Sequence, residues 1–191
     1  MSEFKTLRLI TAALLTVSIS GCGLIFGGSQ KVDNKSDEYK VYRLDQEPSG
    51  YWSIISTGTK PVKDKALAAA SEQEPEQADY AFEHKAHGAV VSLNSVCRPQ
   101  RNETLEDLSK ALTMGLPNIQ HISAKSTELD GAPAHDSTIE TTDTGKPPVR
   151  IRTVVMRKSG CTYDFMYIVR SNVFDQNISD FERFLRGFHA P

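Results

Sequence analysis

The chain has 191 residues, of which 22 are Lys or Arg and 24 are Asp or Glu, giving a formal net charge of −2. A balance so close to neutral, without a basic run, argues against a nucleic-acid-binding protein. No acidic tail or internal repeat is present, and the length suits one folded domain with a short additional segment.

The N-terminus has the features of an export signal. Lys5 and Arg8 form a short positive region, and the apolar run Leu9–Ile19 is shorter than the ~20 residues that span a bilayer. The run ends in Ile19-Ser20-Gly21-Cys22, which resembles the bacterial lipobox, in which two small residues precede a cysteine that is lipidated and becomes the new N-terminus. We therefore expect residues 1–21 to be a lipoprotein signal peptide and Cys22 to carry the acyl chains.

The residues after Cys22 bear on localisation. Gly23, and not Asp, follows the cysteine, which in lipoproteins of Gram-negative bacteria resembles the pattern released to the outer membrane. Residues 22–37 are rich in Gly and polar residues and are expected to form a flexible tether, so that the domain faces the periplasm. The alternative is an uncleaved helical anchor over Leu9–Phe26, which the Ser, Thr and Gly residues of that stretch disfavour.

Cysteine usage also fits an oxidising compartment. Lipidation of Cys22 leaves Cys97 and Cys161, an even pair in an exported chain. We expect a disulfide between them, which closes a loop of about 64 residues and contributes roughly 4 kcal/mol on a chain-entropy model. Two buried thiols, or a metal pair that lacks other ligands, remain the alternatives.

A single α+β domain is expected over residues 38–191. Its first half is predicted to hold a helix over Val62–Ala70 and an acidic loop over Ser71–Gln77. Two of its strands form a hairpin around Ala86-His87-Gly88. The predicted strands of this half are Tyr39–Leu44, Tyr51–Ser56, Ala78–Lys85 and Ala89–Val96.

The second half begins with a helix. Thr104 and Asp107 form an approximate capping box at its start, and Gly115 and Pro117 stop it. One apolar helix face is predicted from the spacing of Leu105, Leu108, Leu112 and Leu116. Short turns then separate strands that are expected to pair antiparallel, at Ile119–Glu128, Ala132–Thr142, Val149–Lys158 and Thr162–Arg170.

The last element is a helix over Asp175–Gly187. Its apolar stripe consists of Phe174, Ile178, Phe181, Leu185 and Phe188. We expect this stripe to pack on the strand face that carries Tyr163, Phe165 and Tyr167. That strand is apolar on both faces, which is typical of a central strand covered on both sides.

The order of these elements resembles the PsbP/Mog1-like fold. A hairpin, a helix and a strand are followed by Leu129-Asp130-Gly131-Ala132-Pro133-Ala134 entering a strand, two long strands and an aromatic C-terminal helix. The resemblance covers about Tyr51–Phe188. It implies an α/β/α sandwich with a mostly antiparallel central sheet, and accessory, assembly or binding roles, mostly without catalysis. It supplies no functional motif for individual residues.

Two histidine clusters are candidate sites. His84 and His87, with Glu83, have the spacing of metal ligands, but they flank a predicted turn, where their side chains are expected to point to opposite faces and be solvated. His135 and Asp136 have the identity of a general base and its orienting carboxylate. No nucleophile motif lies nearby, so a surface pair is expected.

One basic cluster and one sequon complete the candidates. Arg150 and Arg152 are expected to share a strand face, with Arg157 and Lys158 near them. This cluster would meet anionic lipid or an acidic partner, although a solvated sheet face or edge protection is the more ordinary interpretation. Asn102-Glu103-Thr104 matches a glycosylation sequon, which has little relevance in a bacterial lipoprotein.

Two classes of function remain. We expect a non-enzymatic binding or assembly module, held at the membrane by its acyl chains, with an envelope protein or lipid as partner and no cofactor or metal. The alternative is a small envelope hydrolase or metal-dependent enzyme that uses His and Asp groups. A deep pocket holding two of His84, His87, His121 and His135 beside carboxylates would favour the enzyme, and a shallow apolar groove would favour a lipid or peptide ligand.

Overall fold

A computed structural model of the chain describes residues 39–56, 78–97 and 102–191. The predicted signal peptide, Cys22, the tether and the predicted helix Val62–Ala70 lie outside these residues. Among the described residues, no helix is long and apolar enough to cross a membrane.

The described strands form one antiparallel sheet of seven, in the spatial order β1-β2-β3-β7-β6-β5-β4. The predicted hairpins are present, and β7 lies in the interior of the sheet between β3 and β6, as its two apolar faces indicate. The strands are β1 (Trp52–Ser56), β2 (Tyr80–His84), β3 (Val90–Cys97), β4 (Gln120–Leu129), β5 (Ala132–Thr141), β6 (Val149–Lys158) and β7 (Cys161–Arg170).

The predicted strand over Tyr39–Leu44 is wrong. Only Lys40 makes a β-bridge, to His189, and Leu44–Gln46 is a short 3-10 turn. The segment is held mainly by side chains, because the Tyr39 hydroxyl donates a 2.8 Å hydrogen bond to Asp79 and Leu44 is buried in the core. Its apolar residues therefore serve as anchors and do not belong to a strand ladder.

Helix α1 (Leu105–Ala111) begins at the predicted capping box, with the Thr104 hydroxyl accepting from the Asp107 backbone and the Asp107 carboxylate accepting from the Thr104 backbone. The predicted apolar face is confirmed only in part. Leu105, Leu108 and Leu112 are half-buried, but Leu116 lies beyond the helix and is 36% exposed. The fully buried residues are Ser109 and, after the helix, Thr113, because the helix ends after two turns and places Ser109 against the sheet.

Helix α2 (Phe174–Arg186) confirms the packing expected of the aromatic stripe. Phe181 stacks on Tyr167 with ring centroids 5.6 Å apart, and Phe188 meets Phe165 edge-on at 4.9 Å. Phe181, Phe184 and Phe188 are each at most 1% exposed. The stripe therefore forms the core on this side of the sheet.

The two helices lie on opposite faces of the sheet. Arg152 of β6 points to α2, where its guanidinium lies 5.7 Å from the Phe181 ring centroid. The next residue, Thr153, points to α1 and its hydroxyl lies 2.7 Å from that of Ser109. Because successive strand residues face opposite sides of a sheet, α1 and α2 cover opposite faces. The expected helix–sheet–helix layering is therefore present, with one described helix in each outer layer.

The predicted disulfide joins Cys97 and Cys161, with an S–S distance of 2.04 Å. The two cysteines are direct partners in the pairing of β3 with β7. The bond therefore links neighbouring strands of the sheet.

Candidate ligand-binding cleft

A cleft of about 300 Å³ lies on the α1 face of the sheet, between α1 and strands β4 and β5. Helix α1 and the residues after it contribute Glu106, Ser109, Lys110 and Thr113. Strand β4 contributes His121, Ile122, Ser123 and Ala124, and strand β5 contributes His135, Ser137 and Ile139. The volume is at the lower end of the range for small-molecule sites.

The β5 side of the cleft follows from strand alternation. His135, Ser137 and Ile139 lie two residues apart and therefore share one face of the sheet. They pair with Val155, Thr153 and Ile151 of β6, which are all buried. The floor beside the cleft is therefore a packed, rigid part of the sheet.

The β4 side depends on a bulge. Pairing with β5 shifts register between His121 and Ser123, so that Ile122 has no partner on β5. A regular strand would present only alternate residues to one side, but here four consecutive residues, 121 to 124, line the cleft. The bulge thus places His121 and Ala124, three residues apart, opposite the cleft-lining residues Ile139 and Ser137 of β5.

His135 is the least ordinary group in the cleft. It is only 8% exposed, yet its ring forms no hydrogen bond or ion pair with any of the described residues. Its side chain lines the cleft, so a ligand there can reach the ring. Its unused hydrogen-bonding capacity is available to whatever occupies the cleft.

The fixed charges at the cleft cancel. Lys110 Nζ lies 2.8 Å from Glu106 Oε1, one turn apart on α1, and both side chains are more than half exposed. The hydrogen bond that Lys110 donates to Glu106 lowers the pKa of Glu106 and raises the pKa of Lys110. Both groups are therefore charged at neutral pH and engaged with each other.

Exposed apolar side chains cluster beside the cleft. Ile122 lines it and is 47% exposed. Met114 and Leu116, in the connection between α1 and β4, are 80% and 36% exposed. Three of the five large apolar residues exposed among the described residues thus fall in the segment 114–122.

The predicted orientation of His84 and His87 is wrong. Their rings are nearly parallel, with centroids 4.7 Å apart, and His84 is only 4% exposed. The turn through Gly88, at φ 61°, folds the backbone so that the His87 N–H donates to His84 Nδ1 at 3.3 Å. Asn177 of α2 contacts His87 Nδ1 at 2.8 Å, so the pair packs against the last helix.

This stack is a poor metal site. Parallel rings direct their nitrogens away from a common point, and Glu83 is exposed on the other face of β2. Within residues 39–56, 78–97 and 102–191, no three His, Cys, Asp or Glu residues are placed to share a metal ion. Burial and then the neighbouring His87 lower the pKa of His84.

His135 and Asp136 form neither the dyad nor the surface pair. Both are buried, and as neighbours on β5 they point to opposite faces. The Asp136 carboxylate accepts hydrogen bonds of 3.0 and 2.8 Å from the Arg152 guanidinium, on the α2 side. Asp136 therefore cannot orient His135, which lines the cleft.

The basic cluster is not a free surface. Arg150 and Arg152 share a face as expected, but β6 lies between β5 and β7, so edge protection is excluded. Arg150 pairs with Glu140 at 3.1 Å, and Arg152 with Asp136 at 2.8 Å. Lys158 donates to Asp130 and to the Ala190 carbonyl, each at 2.8 Å. These cations hold the fold together and leave little charge for a lipid surface.

Sequence reasoning named His121 and His135 but missed the hydroxyl residues of the cleft. Ser109 on α1 and Thr113 just after it are buried, and Ser137 lies between His135 and Ile139 on the strand face that lines the cleft. The one sequence signal for these hydroxyl residues is that they are polar at positions that the strand and helix periods predict to be buried. The β4 bulge has no evident sequence signature.

Comparisons with known proteins identify the fold alone. No family model matches the chain, and no curated protein matches it. Several solved structures are similar. LpqN of Mycobacterium tuberculosis, described as involved in cell envelope biogenesis, aligns at TM-score 0.52 and 12% identity, over 80% of this chain and 83% of LpqN.

Two further structures are similar. A protein of Bacteroides thetaiotaomicron aligns at TM-score 0.50 and 7% identity, over 82% of this chain and 46% of that one. Cyanobacterial PsbP of Synechocystis aligns at TM-score 0.47 and 16% identity, over 83% of this chain and 89% of that one. A PsbP protein is thus among the structural neighbours, but a superposition at this score carries no argument about family or function.

Proposed function

We propose that this chain is a lipoprotein of the bacterial envelope whose folded domain is a non-enzymatic binding or assembly module, with the cleft between α1 and β4–β5 as its binding site. The observation that supports the binding role is His135, which lines the cleft, is 8% exposed and forms no hydrogen bond with the other described residues. A ligand in the cleft can therefore form hydrogen bonds with its ring.

The envelope part of the proposal rests on separate support. The Ile19-Ser20-Gly21-Cys22 sequence predicts lipidation of Cys22, and the Cys97–Cys161 disulfide is typical of an oxidising compartment. LpqN, which shares the fold, is an envelope biogenesis protein. Gly23 after the cysteine favours the outer membrane, with the domain in the periplasm and an envelope protein or lipid as partner.

An envelope hydrolase is the second candidate, because the cleft does hold His121 and His135 together with Glu106. Two contacts favour binding over hydrolysis. Glu106 is paired with Lys110, and the Ser109 hydroxyl is bonded to Thr153, so neither forms a base–nucleophile pair with His135. Among the described residues, no carboxylate forms a hydrogen bond with His121 or His135 of the kind that orients a catalytic imidazole.

Lipidation is tested by labelling cells with radioactive palmitate. We expect the wild-type protein to be labelled and to fractionate with the outer membrane, and Cys22→Ser to remain an unlabelled, unprocessed precursor. Serine matches cysteine in size but cannot form the thioether. Undiminished labelling of the variant would contradict the proposal.

The binding role is tested by native mass spectrometry of the full lipoprotein purified from its own envelope. We expect a small molecule that accompanies the wild-type protein and is lost from His135→Leu, which fills the same space without hydrogen-bonding groups. Turnover of an ester or phosphoester panel that is abolished in the variant would favour the hydrolase instead.

A further inference from the structure

The cleft offers hydrogen bonds of both senses. Among the described residues, the side chains of His121, Ser123, His135 and Ser137 form no hydrogen bond with one another or with other residues. A hydroxyl both donates and accepts, and a neutral imidazole donates from one ring nitrogen and accepts at the other. The unpaired groups therefore match a ligand that also both donates and accepts.

Charge argues against an ionic ligand. Of the residues that the structure describes, Glu106 and Lys110 are the only Asp, Glu, Lys or Arg residues that line the cleft, and they neutralise each other at 2.8 Å. An anion accepts without donating and a cation donates without accepting, so each would use only one of the two kinds of hydrogen bond that these groups offer. Neither finds an uncompensated opposite charge in the cleft.

Carbon makes up the larger part of the accessible lining. Ile122, Ala124 and Ile139 supply carbon surface beside the hydroxyl and imidazole groups. An acyl chain would bury those polar groups without bonding them, at a cost in free energy. A compact ring that has hydroxyls on its rim and C–H groups on its faces satisfies both kinds of surface.

We propose that the cleft binds a single sugar ring of a carbohydrate, with His135 and Ser137 hydrogen-bonding its hydroxyls and Ile122 packing on its C–H face. This proposal rests on the proposed binding role and specifies its ligand class. The volume of about 300 Å³ has room for one ring, and the open side admits the rest of a glycan.

Saturation-transfer NMR on the full-length lipoprotein tests the proposal, in a sugar-free detergent such as lauryldimethylamine oxide. The probes are N-acetylglucosamine, its β-1,4-linked dimer and glucose, with inorganic phosphate and decanoate as competitors. We expect saturation of the sugar ring protons, and no displacement by phosphate or decanoate. A stronger signal from the dimer than from N-acetylglucosamine indicates a glycan chain as the source, and equal signals indicate a free sugar.

Two variants locate the binding. Each lost hydrogen-bonding group is expected to weaken binding by up to about tenfold, the larger loss falling on His135→Leu and the smaller on Ser137→Ala. Ser137 is only partly buried, so its variant retains the fold even where His135→Leu does not. Thr127→Ala is the matched control, because it removes a β4 hydroxyl that does not line the cleft.

Three results would overturn the inference: no saturation of any sugar, equal saturation with Ser137→Ala and the wild-type protein, or displacement by phosphate or decanoate. The proposed binding role fails separately. If native mass spectrometry finds a His135-dependent molecule that is not a carbohydrate, the binding role stands and the sugar assignment is wrong.

Discussion

The carboxylate of Asp130 accepts a 2.9 Å hydrogen bond from the backbone N–H of Ala190, 60 residues further along the chain. The same carboxylate accepts from Lys158 Nζ at 2.8 Å and lies 3.0 Å from His189 Nδ1. A residue in the turn between β4 and β5 thus anchors the tail that follows α2. Burial acts to raise the pKa of Asp130, but the hydrogen bonds from Lys158, Ala190 and His189 outweigh it and lower the pKa to about 2.

The pH dependence of Asp130 is the first prediction. Its pKa is lower in the folded chain than the ordinary value of 3.8, so its contribution to stability is complete above about pH 4 and is lost as the pH falls towards 2. We expect Asp130→Asn to lower the free energy of unfolding by about 2 kcal/mol at pH 7, with the difference from wild type vanishing near pH 2.

Urea denaturation between pH 2 and pH 7 measures that difference. Asparagine is the suitable replacement because residue 130 has a φ of 50°, which Asn tolerates. Asp143→Asn is the control, since Asp143 pairs with Lys146 at a side chain that is 48% exposed, and it should cost less than about 1 kcal/mol. Equal losses from the two variants would show that Asp130 is an ordinary surface carboxylate.

The second prediction concerns Phe181. It is fully buried, stacked on Tyr167 and covered by the Arg152 guanidinium. Truncation to Ala should therefore lower the free energy of unfolding by about 3–5 kcal/mol, enough to unfold a domain of ordinary stability. Gln176→Ala, at an exposed position of α2, is the matched control. An unchanged denaturation midpoint for Phe181→Ala would show that α2 does not depend on this packing.

The third prediction concerns the disulfide. Cys97 and Cys161 are 64 residues apart in the sequence. Their bond therefore closes a long loop in the unfolded chain, whereas in the folded chain it joins strands that are already paired. We expect the Cys97→Ala/Cys161→Ala variant to be about 2–5 kcal/mol less stable than the oxidised wild type. Denaturant melts of the wild-type protein with and without reductant should show the same loss of stability. Peptide mapping that recovers two free thiols from exported protein would refute the bridge.

The fourth prediction concerns the stacked histidines. Burial and the neighbouring His87 lower the pKa of His84, and Asp180 acts in the opposite direction. The unfolded chain therefore protonates His84 more readily than the folded chain does. The stabilisation that His84 provides is lost as the pH falls below about 6.5, the pKa of this histidine in the unfolded chain. We expect the thermal midpoint to fall between about pH 7.5 and pH 5.5, and to fall less in His84→Gln.

Thermal scans across that range give the comparison. His121→Gln is a suitable control, since His121 is exposed in the cleft and its imidazole packs on no other ring among the described residues. If His84→Gln and His121→Gln show the same pH dependence as the wild-type protein, the stack makes no contribution to acid sensitivity.

Much of the fold was predictable because its signals are local. The stripe from Phe174 to Phe188 repeats at helical spacing and is found buried as expected. Thr104 and Asp107 mark the start of α1, and the two apolar faces of β7 place it inside the sheet. In each case the pattern of a few neighbouring residues determines which surface must be buried.

Two of the failures involve contacts between distant segments. Tyr39–Leu44 has strand-like alternation, but Tyr39 is held by Asp79, a residue that no local pattern associates with it. Leu105 and Leu108 suggested the buried side of α1, but the residue that is fully buried there is Ser109, which is hydrogen-bonded to Thr153 of β6. A helix of two turns buries whichever face its neighbour accepts.

The sequence by itself determined the order of the described elements from β1 to α2, the cysteine pair and the burial of the terminal helix, because periodicity and cysteine parity are properties of neighbouring residues or of composition. Only the tertiary structure decided the cleft. His121 and His135 both line it, because β4 and β5 pair beside α1 and a bulge turns four consecutive residues of β4 to the cleft. Asp136 pairs with Arg152 and does not contact the cleft that His135 lines, because adjacent strand residues face opposite sides of the sheet and each side is covered by a different helix.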